Sequence, residues 1–376
     1  MTDLCSGAAA DRTNECRANS FVRLRKQGLY VDKTERLCTL CQAHWPSLLA
    51  RPSGFGKTVC LDTIEALFSS GVHTAAFAGL KIARLWRDDH QYQLLRLNFK
   101  DLIADMPPGH FNLDVFKDRL SDAIIRQGLK LGFKPEFAKL KQEYPPAGVL
   151  LRFLQAGIKL RTVILIDDLD EPLFAAAAQP ESLQQTANLL TALLSVIKNS
   201  MQYIRCGMLT ARSYFSGDHS SGTAGWFRCL FDEYDNKLCG FTRAEVAALG
   251  LNADELERRC GGYSFALHCT ERVCRPASVL HYLGVKEGAG PLQLNAGLLD
   301  LTCRVLKDAP WYLTYPGMAE SSIHVESSCD KLLFQQGLLS PAGGIPPRGD
   351  AVLTAPNLEA ERCLEELFLM ASMRRA

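Results

Sequence analysis

Leu49-Ala50-Arg51-Pro52-Ser53-Gly54-Phe55-Gly56-Lys57-Thr58 places Gly-Lys-Thr directly after an apolar strand and directly before an amphipathic helix. A loop that cradles phosphate needs glycine where backbone N–H groups curl around an anion. It also needs a lysine to reach the outer phosphates and a hydroxyl to hold Mg²⁺. Gly56, Lys57 and Thr58 supply these groups. The helix expected over about Lys57 to Ser69 aims the positive end of its dipole at the same point. Arg51 stands where the pattern G-x-x-x-x-G-K-[ST] has its first glycine. The plain alternative is therefore a strand-to-helix turn carrying a chance Gly-Lys-Thr. The whole run Arg51, Pro52, Ser53, Gly54, Phe55, Gly56, Lys57 and Thr58 is the candidate nucleotide-binding loop.

A second segment argues against chance. Thr162-Val163-Ile164-Leu165-Ile166-Asp167-Asp168-Leu169-Asp170-Glu171-Pro172 is a β-branched apolar run that ends in a cluster of acids. It reads as a buried parallel strand with carboxylates at its C-terminal edge, where open α/β sheets bind ligands. Asp167 is then the Walker B aspartate, serving the Mg²⁺ shell with Thr58. Asp168 faces the attacking water as the candidate base. It is one methylene shorter than the glutamate often found there, and base catalysis suffers from displacements of about 1 Å, so slow hydrolysis is expected. The bland reading of the cluster is a solvated strand end that caps the next helix.

Composition sets the outer limits. The chain has 376 residues, enough for two or three domains. Its 42 basic and 41 acidic residues leave a net charge of +1, so no global field draws it to nucleic acid or anionic lipid. No apolar run approaches the ~20 residues of a membrane helix, and residues 1–15 do not resemble a signal sequence. The expected location is cytoplasmic. The 14 cysteines are scattered through apolar segments and read as small buried hydrophobes in a reducing compartment. Cys38-Thr39-Leu40-Cys41 has metal or redox spacing without a second pair to complete a zinc site. Cys260, Cys269 and Cys274 with His268 match no standard metal pattern.

The first half alternates α and β. After a lead of about 18 residues, a short helix carries Phe21 and Leu24 three apart and ends at Gly28. Strands are expected near Ser47 to Ala50 and over Gln93 to Phe99. Helices follow over Leu113 to Leu131, Pro146 to Lys159 and Glu181 to Lys198. Tyr203 to Thr210 reads as a strand inserted between the P-loop and Walker B strands. Its Thr210 either senses the γ-phosphate or merely caps a turn. Arg212 either contacts phosphate in cis or is an ordinary loop arginine. Ser216 to Gly225 is Gly/Ser-rich and reads as a flexible loop. Helical segments around Arg243 to Arg259 and Pro276 to Gly284 form a small lid. Beyond Leu292, a Gly/Pro-rich stretch from Ser340 to Gly349 separates two apolar segments in a winged-helix-like end.

Taken in order, these segments resemble the bacterial AAA-ATPase-like proteins that are often fused to a PD-(D/E)XK nuclease-like domain. Tyr30-Val31-Asp32-Lys33-Thr34 resembles the family's "YVDKT", and Arg51-Pro52 with Phe55-Gly56-Lys57-Thr58 resembles its "RPRRFGKS". Gly79-Leu80-Lys81-Ile82 resembles "GLKI", and Ile166 to Leu173 resembles "IDEYDxPL". Cys239-Gly240-Phe241-Thr242 with Glu245-Val246 resembles "CGFTxxEV", and Gly262-Tyr263-Ser264-Phe265 resembles "GYxF". Gly337-Leu338-Leu339 and Pro356-Asn357-Leu358-Glu359 resemble "GYLT" and "PNxEV". The sequence departs from the pattern at Ser53 and Gly54, in place of paired arginines, and at Asp168 and Leu169, in place of Glu-Tyr. These departures are expected to spare nucleotide binding more than turnover. The chain ends at Ala376 with no Asp…Glu-x-Lys constellation, so a nuclease-like part is not expected in it.

The expectation is an α/β P-loop NTPase with a parallel sheet and an added strand, binding ATP and Mg²⁺. Residues 1–18 form the lead, 19–238 the NTPase core, 239–290 the lid and 291–376 a small C-terminal domain. ATP hydrolysis would drive or time a conformational change. The rival classes are a nucleotide-gated binding module with little turnover and a host-directed effector built on the same scaffold. A protein partner of unknown identity is expected. Nucleic acid is not expected for this chain alone, and a homo-oligomer is left open.

Overall fold

The computed structural model describes residues 19–43, 45–107, 109–157, 160–213, 228–230, 233–265, 269, 271–286, 288–294, 328–341 and 353–373. The Gly/Ser-rich stretch, His268, most of the Gly/Pro-rich stretch from 340 and the segment 295–327 lie outside these residues.

The central sheet contains β1 (Ser47–Ala50), β2 (Gln93–Asn98), β3 (Thr162–Asp167), β4 (Ile204–Ala211) and the two-residue β5 (Arg228–Cys229). All pair in parallel in the order β2-β3-β4-β1-β5. The strand after the Walker B strand therefore does enter between β3 and β1. Its burial pattern explains why these strands read as continuous apolar runs: both faces of the sheet are covered. Ile164, Ile166, Leu209 and Ala211 face one core, together with Leu48 and Ala50. Val163, Leu165, Cys206, Met208 and Leu49 face the other.

Helices form where capping and periodicity direct them. Asn19 caps the helix Ser20–Lys26, its side chain accepting from the Val22 N–H at 3.1 Å, and this helix buries Phe21 and Leu24. Gly28, at φ +68°, ends it in the left-handed region that glycine enters without penalty. Asn112 caps Leu113–Lys130 in the same way. The helix Pro146–Ala156 is followed by Gly157, and the expected end at Lys159 lies outside the described residues. Pro180–Asn199 fits its expected bounds to within a residue at each end.

After β4 come the small antiparallel pair β6 (Phe241–Thr242) and β7 (Val273–Cys274) and the helices Arg243–Ala248, Ala253–Cys260 and Pro276–Tyr282. They enclose a third cluster around Val246, Leu256, Cys260, Val279 and Leu280, which also takes in Leu24 of the first helix. Farther along, the helix Ser328–Gln335, the antiparallel pair β8 (Ser340–Pro341) and β9 (Leu353–Thr354), and the helix Leu358–Met373 are described. Leu332, Leu333, Phe334, Leu338, Ala360, Cys363 and Leu367 join the core on the first face of the sheet. Cys38, Cys41, Cys60, Cys206, Cys239, Cys260, Cys269, Cys274 and Cys363 are free and buried. Among the described residues no helix is long and apolar enough to cross a membrane.

Candidate nucleotide site

The parallel register sets the ends of β2, β3, β4 and β1 side by side, so Asn98, Asp167, Thr210 and Ala50 reach the same edge of the sheet. From Ala50 the chain turns through Pro52 to Phe55 and enters the 14-residue helix Lys57–Ser70. Gly54 and Gly56 lie at φ +80° and +85°, a conformation in which a side chain is strained. No side chain caps this helix, so its first-turn N–H groups stay available to a ligand.

A cavity of about 560 Å³ opens at this point, within the range of small-molecule sites. Ser53 to Thr58, Asp168 and Arg212 all line it, with Lys100 from the loop after β2 and Arg275 from the lid segment. Leu24, Tyr30, Val59 and Phe241 add apolar surface to its lining.

Lys57 is buried, and its Nζ donates to the carbonyls of Arg51 at 2.6 Å and Pro52 at 3.1 Å. Burial lowers its pKa, and the nearby aspartates, Asp168 foremost, oppose that shift. Arg51 and Pro52 thus offer backbone oxygens, while their side chains turn inward. The Arg51 guanidinium donates to the carbonyls of Ala50 at 2.8 Å and Asp235 at 3.0 Å, and lies 4.6 Å from the Phe265 ring centroid. It is a strut under the loop, which is why arginine rather than glycine stands at this position.

Asp167 is fully buried. Burial disfavours its charge, but Arg96, Thr210, Thr58 and Lys57 outweigh that effect and hold its carboxyl below the ordinary range. The Thr210 hydroxyl donates to Asp167 Oδ1, and Arg96 Nη2 lies 3.3 Å from Oδ2. Nothing in the sequence marks Arg96, which projects from a strand of plain alternation and also contacts Asp62 at 3.4 Å. Asp168 adopts φ +51°, a left-handed geometry that aspartate tolerates better than most residues. Its N–H donates to Thr210 Oγ1 at 3.3 Å. Burial first and the charge of Asp167 second raise its pKa, so Asp167 and Asp168 are pushed in opposite directions.

Arg212 is buried, pairs with Glu171 and sits over the Phe174 ring at 5.1 Å. Its Nε has no hydrogen-bond partner among the described residues. Asp170 accepts from the N–H groups of Arg212 at 2.9 Å and Ser213 at 2.7 Å, tying the end of β3 to the end of β4. The structure therefore gathers Gly56, Lys57, Thr58, Asp167, Asp168, Thr210 and Arg212 into one locality.

The other quoted motifs interlock around it. Asp32 accepts from the Thr34 N–H at 2.9 Å and from the Lys81 N–H at 2.9 Å, joining the Tyr30–Thr34 and Gly79–Ile82 segments. Lys33 pairs with Glu245 at 2.6 Å, and Glu245 closes a capping box with Thr242. Phe55 packs edge-on against Tyr263 and Phe265, with ring centroids 4.9 and 5.0 Å away. Asn357 donates to the Gly261 carbonyl at 2.7 Å.

A family model described as a predicted AAA-ATPase matches residues 17–219. The chain is 28% identical over 372 residues to an uncharacterized protein in the vnfD 5′ region of Azotobacter chroococcum mcd 1, a match that covers 93% of this chain and 69% of that protein. No solved structure matches the chain.

Proposed function

Because the chain belongs to the predicted AAA-ATPase family, we propose that the cavity at the sheet edge takes ATP with Mg²⁺ and hydrolyses it slowly, turnover driving or timing a conformational change. The observation that carries this reading is the placement of Gly56-Lys57-Thr58 at an uncapped helix start, beside the Asp167–Asp168 pair.

On nucleotide entry, Lys57 exchanges the carbonyls of Arg51 and Pro52 for phosphate oxygens. The loop N–H groups and the helix dipole bind the same charge. Arg212, whose Nε has no hydrogen-bond partner among the described residues, also lines the cavity and meets phosphate there. The donor set fits Mg²⁺: Thr58 brings a hydroxyl, and Arg96, Thr210, Thr58 and Lys57 together hold the Asp167 carboxyl below its ordinary range. When bound, the ion neutralises charge on the phosphate oxygens. Asp168 accepts the proton of the attacking water, and Thr210 holds both aspartates in place. Residues 19–238 act as the core, 239–290 as a lid over it and 291–376 as a smaller C-terminal unit.

A second reading, a nucleotide-gated binding module with little turnover, draws support from Asp168. Its short side chain on a left-handed backbone limits reach toward a water. Calorimetry decides the shared part of both readings. ATP·Mg²⁺ should bind the wild type and bind Lys57→Ala at least tenfold more weakly, as loss of a charge-assisted contact of ~1.5–3 kcal/mol requires. Equal affinities would refute the site. Steady-state phosphate release then separates the two readings.

A further inference from the structure

Arg275 lies between β7 and the helix Pro276–Tyr282, 222 positions from Ser53, yet its Nε donates to the Ser53 carbonyl at 2.9 Å. The next contact is as close: the Ala277 N–H donates to the Gly54 carbonyl at 3.0 Å. A Cβ placed on Gly54 would stand 2.3 Å from Arg275 Nη2, so the guanidinium fills the space that a side chain at 54 would need. The tip of the phosphate loop is therefore clamped from outside by a single segment.

That clamp does not end at the loop. Arg275 Nη1 donates to Ser278 Oγ at 2.8 Å and to the Gly290 carbonyl at 2.6 Å. The Ser278 hydroxyl donates to Glu359 Oε2 at 2.7 Å, and Oε2 also accepts from the Leu292 N–H at 2.9 Å. Glu359 stands in the first turn of the helix Leu358–Met373, whose inner residues Ala360, Cys363 and Leu367 belong to the core on the first face of the sheet. Arg275 and Ser278 are both buried, so water does not replace a lost partner cheaply. Arg275 donates in both directions, to the loop carbonyl and to Ser278, and Ser278 donates onward to Glu359, so the bonds from the guanidinium to the carboxylate polarise one another.

We propose that Arg275 is a positioning residue for the phosphate loop, and that Ser278 and Glu359 make its placement depend on the seating of the helix Leu358–Met373, so that nucleotide occupancy and docking of this helix are thermodynamically coupled. The proposal rests on the nucleotide-binding reading of the cavity. By linkage it acts both ways: a ligand that stiffens the loop secures the helix, and a helix pulled from its seat loosens the loop.

The test uses the full chain, a fluorescent ATP analogue and Mg²⁺. Arg275→Lys, Ser278→Ala and Glu359→Ala should each weaken analogue binding about five-fold or more, and saturating analogue should raise their melting temperatures less than that of the wild type. The double variant Ser278→Ala/Glu359→Ala should be no weaker than the worse single one, because both interrupt the same chain. Hydrogen exchange provides the second readout. The analogue should slow amide exchange within Leu358–Met373 of the wild type and leave it unchanged in Ser278→Ala. Should Arg275→Lys fail to fold, the Ser278 and Glu359 variants carry the decision. Wild-type affinity in those variants, additive losses in the double variant, or a helix whose exchange ignores the analogue would each overturn the coupling and leave the nucleotide site standing. A wild type that binds no analogue would remove the site itself and the coupling with it.

Discussion

Thr210 donates its hydroxyl proton to Asp167 across the gap between the ends of β4 and β3, and the same oxygen accepts the Asp168 N–H. One small side chain thus orients both carboxylates. Thr210→Val keeps the shape and deletes both bonds, leaving a buried charged acceptor underserved at about 1–3 kcal/mol. Mg²⁺-dependent turnover should fall by about tenfold or more, whereas Thr210→Ser should retain most of it. Phosphate release at saturating ATP is the measurement, and an unimpaired Thr210→Val would dismiss this role.

The opposed shifts of Asp167 and Asp168 set a pH dependence. A base must be ionised to accept a proton, and Asp168 is held above the ordinary carboxylate range by burial and by Asp167. Turnover should therefore decline as pH falls through a value higher than that of a solvated aspartate. Asp168→Asn should abolish turnover because an amide cannot accept the proton. Asp168→Glu should equal or exceed the wild-type rate. Full activity in Asp168→Asn would assign the base elsewhere.

Asp170 makes a prediction about stability rather than rate. Burial first, opposed by Arg212, raises its pKa from an ordinary 3.8 to about 6. The folded state then binds the proton more tightly than the unfolded chain does. Its contribution is fully present below about pH 4 and is lost as pH rises through about 6, a change of about 3 kcal/mol. Urea unfolding of wild type and Asp170→Asn at pH 4.5 and 7.5 checks the sign. The wild type should lose ground to the variant at the higher pH, and a constant difference would refute the shift.

Arg51→Gly writes the standard phosphate-loop pattern into the chain, and it should harm the protein. It strips the Ala50 and Asp235 carbonyls of their donor and empties the space beside Phe265. A loss of about 3 kcal/mol or more in unfolding free energy is expected. Equal or greater stability in denaturant titration would show that the strut is dispensable.

The sequence made the sheet legible because both faces of β1, β3 and β4 are buried, which turns them into apolar runs that stand out from their surroundings. The phosphate loop and the acid cluster were legible because their chemistry is local. Arg96 and Arg275 were not. Arg96 meets Asp62 and Asp167 from 34 and 71 positions away, and its own strand alternates like any half-buried one. Arg275 reaches Ser53 across 222 positions, beside a strand of two residues that leaves no periodic signal. Arg51 reads as a phosphate-loop residue from its neighbours in sequence, whereas its inward turn depends on Asp235 and Phe265, which only the fold brings close.

The strand order has a consequence for how the chain is made. β1 carries the phosphate loop, but its neighbours are β4, about 160 residues later, and β5 beyond that. At about 5–20 residues per second, on the order of ten to thirty seconds separate the synthesis of β1 from that of the strand that flanks it. During that interval the loop emerges with its edges unpaired and its glycines unconstrained. Nucleotide therefore meets a finished sheet edge only once β4 has been made, and a ribosome that stalls before residue 211 releases a fragment that lacks it.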